Sequence, residues 1–476
     1  MAKMSRMEVE QKKPLKKFTQ GYTFKVLMLI ALVLLLLIPL TMIRGLIDDR
    51  SRTAAFAEAG IMEAWGSELV AVGPVLAIPG IRTEEIRTIT GDVETVSVVN
   101  RPFTLIVGPQ QLNIGANFST EIRTRGIFSV PLFFGDLVFS GNFNPAAAIS
   151  SLQPNEELSL SQAELIIALS SQQGIRRIDN AVWDCQATGN RHELFFQPGN
   201  RGLSITRTIS SIGARRSMNI GTNSGIFAAL PDIANAESNF NISIAIQGGQ
   251  LVRFLPMGQD THVSIFSDWT SPSFQGSFLP GSSSITANGF GALWDISYLS
   301  RDIPLFWRTE PGGRLPDYST SLFGVNFFRA IDTYSLNTRA VNYAILFLIV
   351  PFLTLFLFEV SAKKRIHPVP YLLSGIANVI FYLLLLSLSE QIEFYLAYII
   401  AAVAVAAMLT LYSRSLLPSW NKSWYMGLAV SLSYILLYAV LNAESFALLI
   451  GSVMAFVVVG LVMFLTRRLN WYGTDD

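Results

Sequence analysis

The sequence predicts a membrane protein of the α+β class, with six transmembrane helices, one N-terminal and five C-terminal, and a large β-rich extracytoplasmic domain between the first and the second. Three observations carry that prediction. Of the 476 residues, 51% are apolar and only 14% charged, against roughly 25% charged in ordinary soluble domains. Uncharged apolar runs of bilayer length stand in two groups, one run near the N-terminus and five near the C-terminus. Between the groups lies a long stretch rich in Ser, Asn, Gly, Thr and β-branched residues, in which turn signals separate short apolar runs; that is the pattern of many short strands.

The first run, residues 26–43, holds no charge and approaches the ~20 residues needed to cross a ~30 Å hydrocarbon layer. A cleavable signal peptide has an apolar region of only ~7–15 residues closed by a small-residue cleavage site, and here the nearest such site, Ala55-Phe56-Ala57, lies far downstream. The run therefore reads as an anchor. The expected organisation is a basic cytoplasmic tail over 1–24, the first helix over 25–43, the extracytoplasmic domain over 44–339, a five-helix membrane domain over 340–468 and a short cytoplasmic tail over 469–476. Within the membrane domain the helices are expected at 341–358, 371–389, 394–412, 425–441 and 446–466. Pro39 and Pro351 are expected inside the first and second helices.

Orientation follows from the excess of Lys and Arg on cytoplasmic flanks. Lys3, Arg6, Lys12, Lys13, Lys16, Lys17 and Lys25 precede or open the first span, so the N-terminus is expected inside. Six crossings bring the C-terminus inside too. Every later loop agrees: Lys363, Lys364 and Arg365, then Arg414 and Lys422, then Arg467 and Arg468 fall inside, whereas the outer loops hold only Glu390, Glu393 and Glu444. Trp420, Trp424, Tyr425, Trp471 and Tyr472 fall at the inner boundary, where amphipathic rings favour the headgroup level.

In the extracytoplasmic stretch, Leu112, Ile114, Ala116 and Phe118 alternate with Asn113, Gly115 and Asn117, as in a strand with one face on a core and one in water. Ile242, Ile244 and Ile246 repeat the device, and Gly248-Gly249 is expected as a hairpin turn with 251–255 as the returning strand. Residues 51–65, rich in Ala and Glu, read as a helix continuing outward from the first span. A β-sandwich or β-rich mixed domain is the expectation.

Chemistry is harder to find. Net charge is +1, so no global basic field exists to hold a nucleic-acid backbone. Cys185 is the single cysteine, which rules out an internal disulfide and the usual cysteine zinc sites. The common nucleotide, serine-hydrolase and zinc-protease motifs do not occur. Two S-x-x-K spacings, Ser361 to Lys364 and Ser419 to Lys422, lie in basic loops whose lysines the inside-positive rule already explains. Asp260, His262 and Ser264 would share a strand face, in the order of a triad, but same-face neighbours stand ~7 Å apart, so a solvated face is the reading. His192-Glu193 and His367 stand alone. The six runs hold no ionisable side chain other than tyrosine, which argues against coupled transport. Asn378, Ser431 and Ser433 are expected to hydrogen-bond between helices, and Ala401, Ala402, Ala404, Ala406, Ala407, Gly451, Ala455 and Gly460 to allow close helix approach.

Scattered segments together resemble one known family. They begin at 37–43 (Leu-Ile-Pro-Leu-Thr-Met-Ile) with Gly45, Ile47 and Asp48, and continue through Trp65 and 73–76 (Gly-Pro-Val-Leu). They resume at 267–269, 272–274 and 276–280, then Gly289, Phe290 and Trp294, and reach the membrane domain at 367–369, 371–373 and 384–390. The chain resembles the CreD-type inner-membrane proteins, the cell envelope integrity family of Gram-negative bacteria. The resemblance implies a multi-pass inner-membrane protein with a periplasmic β-rich domain, a role in envelope homeostasis under stress, and expression linked to a two-component sensory system. It implies no catalytic, cofactor-binding or metal-binding residue, and no cofactor. Gly73-Pro74, Trp269 and His367-Pro368 are the positions it marks for attention, with turn or packing roles expected.

Three functional expectations stand side by side. The first is non-enzymatic binding of an envelope protein or cell-wall component by the exported domain. The second is a membrane enzyme acting on a lipid-linked or cell-wall substrate, and the third a transporter or channel. The lipid bilayer is an expected partner in all three.

Overall fold

The computed structural model describes residues 22–66, 68–90, 93–199, 206–210, 217–221, 225–230, 233, 237–310, 318–327, 333–362, 365–416, 420–443 and 447–467. The chain divides into two compact units, one comprising Met1–Ala55 with Ile331–Asp476 and the other Phe56–Ala330.

The first unit is helical. Helix α1 covers Tyr22–Trp65, 44 residues with Pro39 inside, so the Ala-rich segment does continue the first span as one helix. Helices α2 (Thr333–Ala362), α3 (Pro368–Ser389), α4 (Phe394–Leu416) and α5 (Trp420–Asn442) follow. Among the described residues these five, one N-terminal and four C-terminal, are long and apolar enough to cross a membrane. Helix α6 (Ala447–Thr466) adds 20 residues without a charged side chain. All six expected runs are helical where described.

Residue chemistry sets the helix ends. His367 is the N-cap of α3, its ring nitrogen accepting from the Val369 backbone N–H, and Pro368 occupies the first turn, where a missing N–H costs nothing. The His367-Pro368 pair thus reads as a helix start. Inside the unit, Leu36, Leu40, Phe347, Phe352, Phe381, Leu385, Ala401 and Leu437 share one apolar core. A β-carbon on Gly451 would lie 3.7 Å from the Tyr343 ring, whereas one on Gly460 would have no described atom within 4 Å.

The second unit is a β-sandwich of a ten-stranded and an eight-stranded sheet. The main path of the first sheet runs Ser273–Gly276, Phe323–Asn326, Leu251–Leu255, Leu69–Thr90, Glu164–Leu169, Gly225–Ala229, Gln197–Pro198, and Leu69–Thr90 also carries the long antiparallel partner Val93–Val107. The second runs Ser282–Thr286, Gly289–Ser297, Asp260–Ser267, Gln111–Arg125, Phe128–Phe143, Ser238–Gly249, Ile175–Cys185, Asn190–Glu193. Aromatic rings bridge the two sheets: Trp294 lies 5.7 Å from Phe323, and Phe290 lies 5.8 Å from Phe274. Cys185 is fully buried in this core.

The alternating strand is as expected: Leu112, Ile114, Ala116 and Phe118 are buried while Asn113 and Asn117 are exposed. Ile242, Ile244 and Ile246 are likewise buried. The Gly248-Gly249 hairpin is not formed. The strand runs straight through both glycines, pairing Gly248 with Phe133 and Gly249 with Leu132, and Leu251–Leu255 crosses to the other sheet, where it pairs parallel to Leu69–Val72. The glycines serve close approach instead: a β-carbon on Gly248 would sit 2.5 Å from the Phe133 ring, and one on Gly249 would sit 2.8 Å from the Met62 side chain. The chain turns at Gln250, whose φ is 53°. Gly248→Val is therefore expected to cost about 1–3 kcal/mol by overpacking, read as a lowered unfolding temperature of the purified protein, because Phe133 is itself fully buried.

Gly73, with φ of 99°, occupies a register irregularity between Val72 and Val75 on the Leu69–Thr90 strand. Trp269 packs against the sandwich core and donates its indole N–H to the Ser271 carbonyl at 3.0 Å.

Candidate functional site

In the helical unit, charged side chains just outside the apolar runs are drawn into the bundle. The Lys25 ammonium lies 3.0 Å from the Glu359 carboxylate, donates to the Ile366 carbonyl and sits 5.0 Å from the Tyr371 ring centre. Tyr371 donates its hydroxyl to Glu359 at 2.8 Å. Near the opposite ends of the same helices, Arg50 lies 3.3 Å from Glu390, which also accepts from the Tyr334 hydroxyl at 3.2 Å. Helix α1 is thus held at two levels, 25 residues apart by its own numbering (50 − 25), or about 38 Å at 1.5 Å per residue. Between them, Asn378 donates to the Phe347 carbonyl at 3.1 Å and accepts from the Tyr434 hydroxyl at 3.3 Å. Tyr398 donates to the Tyr434 carbonyl at 2.6 Å. The interhelical role expected of Asn378 is therefore present, whereas Ser433 bonds the Val430 carbonyl of its own helix.

In the sandwich, the Glu156 carboxylate accepts five hydrogen bonds. One oxygen accepts from Arg82 at 2.8 and 3.0 Å, the other from Arg308 at 2.9 and 3.2 Å and from the Gln153 backbone N–H at 3.0 Å. Burial pushes its pKa up, but the hydrogen bonds from Gln153, Arg82 and Arg308 outweigh burial and hold it below the ordinary value. Such a group is a stabilising tie with its acceptors already filled. It borders an open, acidic cavity of about 780 Å³ lined by Glu84, Glu85 and Glu157.

The third place is the outer face of the eight-stranded sheet. Asp260, His262 and Ser264 lie on one strand with the first two exposed and Ser264 half-buried, so they do share a face. They do not form a triad. His262 finds its carboxylate on the neighbouring strand, where the register sets it opposite Asp295, and its Nδ1 contacts the Asp295 Oδ1. Both stay open to solvent, at 54% and 74% side-chain exposure. Beside them a shallow cavity of about 320 Å³ is lined by Asn113, Gly115, Ser140, Ser264 and Leu293. Its floor is Gly115, where a β-carbon would meet only the Ser264 hydroxyl, 3.8 Å away. Sequence reasoning placed His262 and Ser264 on one face, read as solvated, and missed Asp295, whose proximity depends on strand register.

His192 sits opposite Trp183 at the far side of that sheet. The S-x-x-K lysine Lys364 and the serine Ser419 lie outside the described residues, as do the tails and the side chains of Ser361 and Lys422. Among the described residues no group of three or more His, Cys, Asp or Glu side chains is placed to hold a metal ion.

Comparison with known proteins settles the family. The profile described as "Inner membrane protein CreD" matches residues 21–472. The chain belongs to the CreD family. It is similar to the inner membrane protein CreD of Escherichia coli (strain K12), with 30% identity over 452 residues that cover 94% of each chain. The described bundle and sandwich thus belong to a CreD-family, multi-pass protein of the bacterial inner membrane. Family segments in the sequence map onto both units: Trp294 and Phe290 bridge the sheets, and Tyr371 closes the Lys25–Glu359 contact.

Proposed function

We propose that this CreD-family protein supports cell envelope integrity by non-enzymatic binding, its β-sandwich engaging an envelope protein or cell-wall component from the periplasmic side. In this reading α6 is a sixth span, both termini are cytoplasmic and the sandwich is periplasmic, a placement that the distribution of Lys and Arg over the loops supports. The observation that carries the proposal is the second unit itself. Phe56–Ala330 is a compact body with a core of its own, far more than a connection between two spans needs, and its surface carries polar recesses.

The test is complementation of a strain lacking the gene, grown under detergent stress and envelope-targeting toxins. The full chain is compared with a chain in which residues 56–330 are replaced by a short flexible linker, both shown to insert. Rescue by the full chain alone is the expected result. Equal rescue by the shortened chain overturns the proposal and moves the function to the helices.

A further inference from the structure

We infer that the outer face of the eight-stranded sheet, around Gly115, is a binding site for an uncharged glycan chain; this deepens, and rests on, the envelope-binding reading above. Four features of that face point to the ligand class.

The cavity is built without Lys or Arg, so it offers nothing to a phosphate or sulfate, which proteins grip with Arg and Lys. What it offers is polar and bidirectional: the Asn113 amide, the Ser140 and Ser264 hydroxyls and the His262–Asp295 pair. These supply donors and acceptors side by side, which is the match for hydroxyl groups that must both give and accept a proton.

A flat apolar platform adjoins the polar groups. Phe266 lies on the same strand face as His262 and Ser264 and is paired across to Gly291. Its ring covers the position where a β-carbon of Gly291 would be, with ring carbons 2.9 and 3.0 Å from it. The ring is thus laid down along the sheet and remains 52% exposed. An aromatic face of this kind packs against the C–H face of a sugar ring, while the polar neighbours take its hydroxyls.

The dimensions are those of a chain. From His262 to Phe266 is four residues, or about 13 Å along the strand, long enough for a short run of linked sugars laid on the sheet. The missing side chain at Gly115 keeps the middle of that path open.

The experiment uses the full-length protein in detergent micelles with two probes, purified peptidoglycan sacculi and the soluble hexamer of N-acetylglucosamine, and sulfated dextran as the anionic comparison. The expected result is co-sedimentation with sacculi, displacement by the hexamer and indifference to sulfated dextran. Gly115→Val fills the path where the backbone has room for a side chain, and Phe266→Ala removes the platform. Each is expected to weaken binding tenfold or more with the unfolding temperature unchanged. No binding of either glycan by the parent protein, binding of sacculi that the hexamer does not displace, equal binding of sulfated dextran, or undiminished binding by both variants overturns the inference. Complementation separates it from the broader reading: if removal of residues 56–330 abolishes rescue while Gly115→Val rescues fully without glycan binding, the sandwich is functional but the glycan site is wrong.

Discussion

Glu359→Ala is expected to destabilise the helical unit by about 3–5 kcal/mol, because it leaves the Lys25 ammonium among buried groups without its carboxylate. The side chains of Lys25 and Glu359 are 14% and 7% exposed, so little water reaches the pair. Desolvation of two charges offsets most of their attraction, which predicts a sharp asymmetry between single and double replacements. Lys25→Met alone should cost a similar amount, since among the described residues Glu359 would keep just the Tyr371 hydroxyl. Lys25→Met combined with Glu359→Leu should cost much less than the sum. Unfolding of the purified protein in mixed micelles by added SDS measures all three. A double variant as unstable as the two singles added together would show that the contact contributes nothing as a pair.

The second large effect is expected at Glu156. Its side chain has no exposed surface, and replacement by Gln keeps the shape but turns an amide N–H₂ toward a guanidinium. A loss of about 3 kcal/mol at neutral pH is expected, the cost of breaking a buried charged contact from one side. The pH dependence supplies an independent check. The folded-state pKa lies below the ordinary 4.5, so the stability it contributes is complete above pH 4.5 and is lost as pH falls through the lower, folded value. The parent protein should therefore lose stability in that acid range more steeply than Glu156→Gln. Denaturant titrations of both proteins at neutral pH and at successive values below 4.5 decide the matter; parallel curves would remove Glu156 as the cause.

The parts of this molecule that could be read in advance are those where one physical rule acts locally. An uncharged run of bilayer length has few alternatives to a helix, and strict alternation at Leu112–Phe118 reflects a strand wetted on one face only. Leu69–Ile78 offered no such signal, because the strand is buried almost throughout and so lost its period of two. Gly248-Gly249 misled for a related reason: glycine permits a turn and permits close packing equally, and only the approach of Phe133 and Met62 decides between them. The pairings Lys25–Glu359 and His262–Asp295 join residues far apart in the chain, and their charges fitted loop flanks or a solvated strand as well as they fitted a partner. The candidate site was thus only partly legible: the shared face of His262 and Ser264 could be read, but as a solvated face, and the approach of Asp295, Gly115 and Phe266 depends on register.

The parallel pairing of Leu69–Val72 with Val252–Leu255 has a kinetic consequence. The first strand to leave the membrane segment waits for a neighbour some 180 residues later (252 − 69 = 183), and that neighbour is in turn completed by Phe323–Asn326 at the very end of the unit. Contacts so distant in sequence make folding slow. Cooperative closure of the ten-stranded sheet therefore waits until nearly the whole unit has been synthesised, and throughout that interval one edge of Leu69–Val72 stays without the neighbour that will cover it. Synthesis and folding overlap in time, which makes this stretch the point at which a holding chaperone or a protease would compete for the nascent chain.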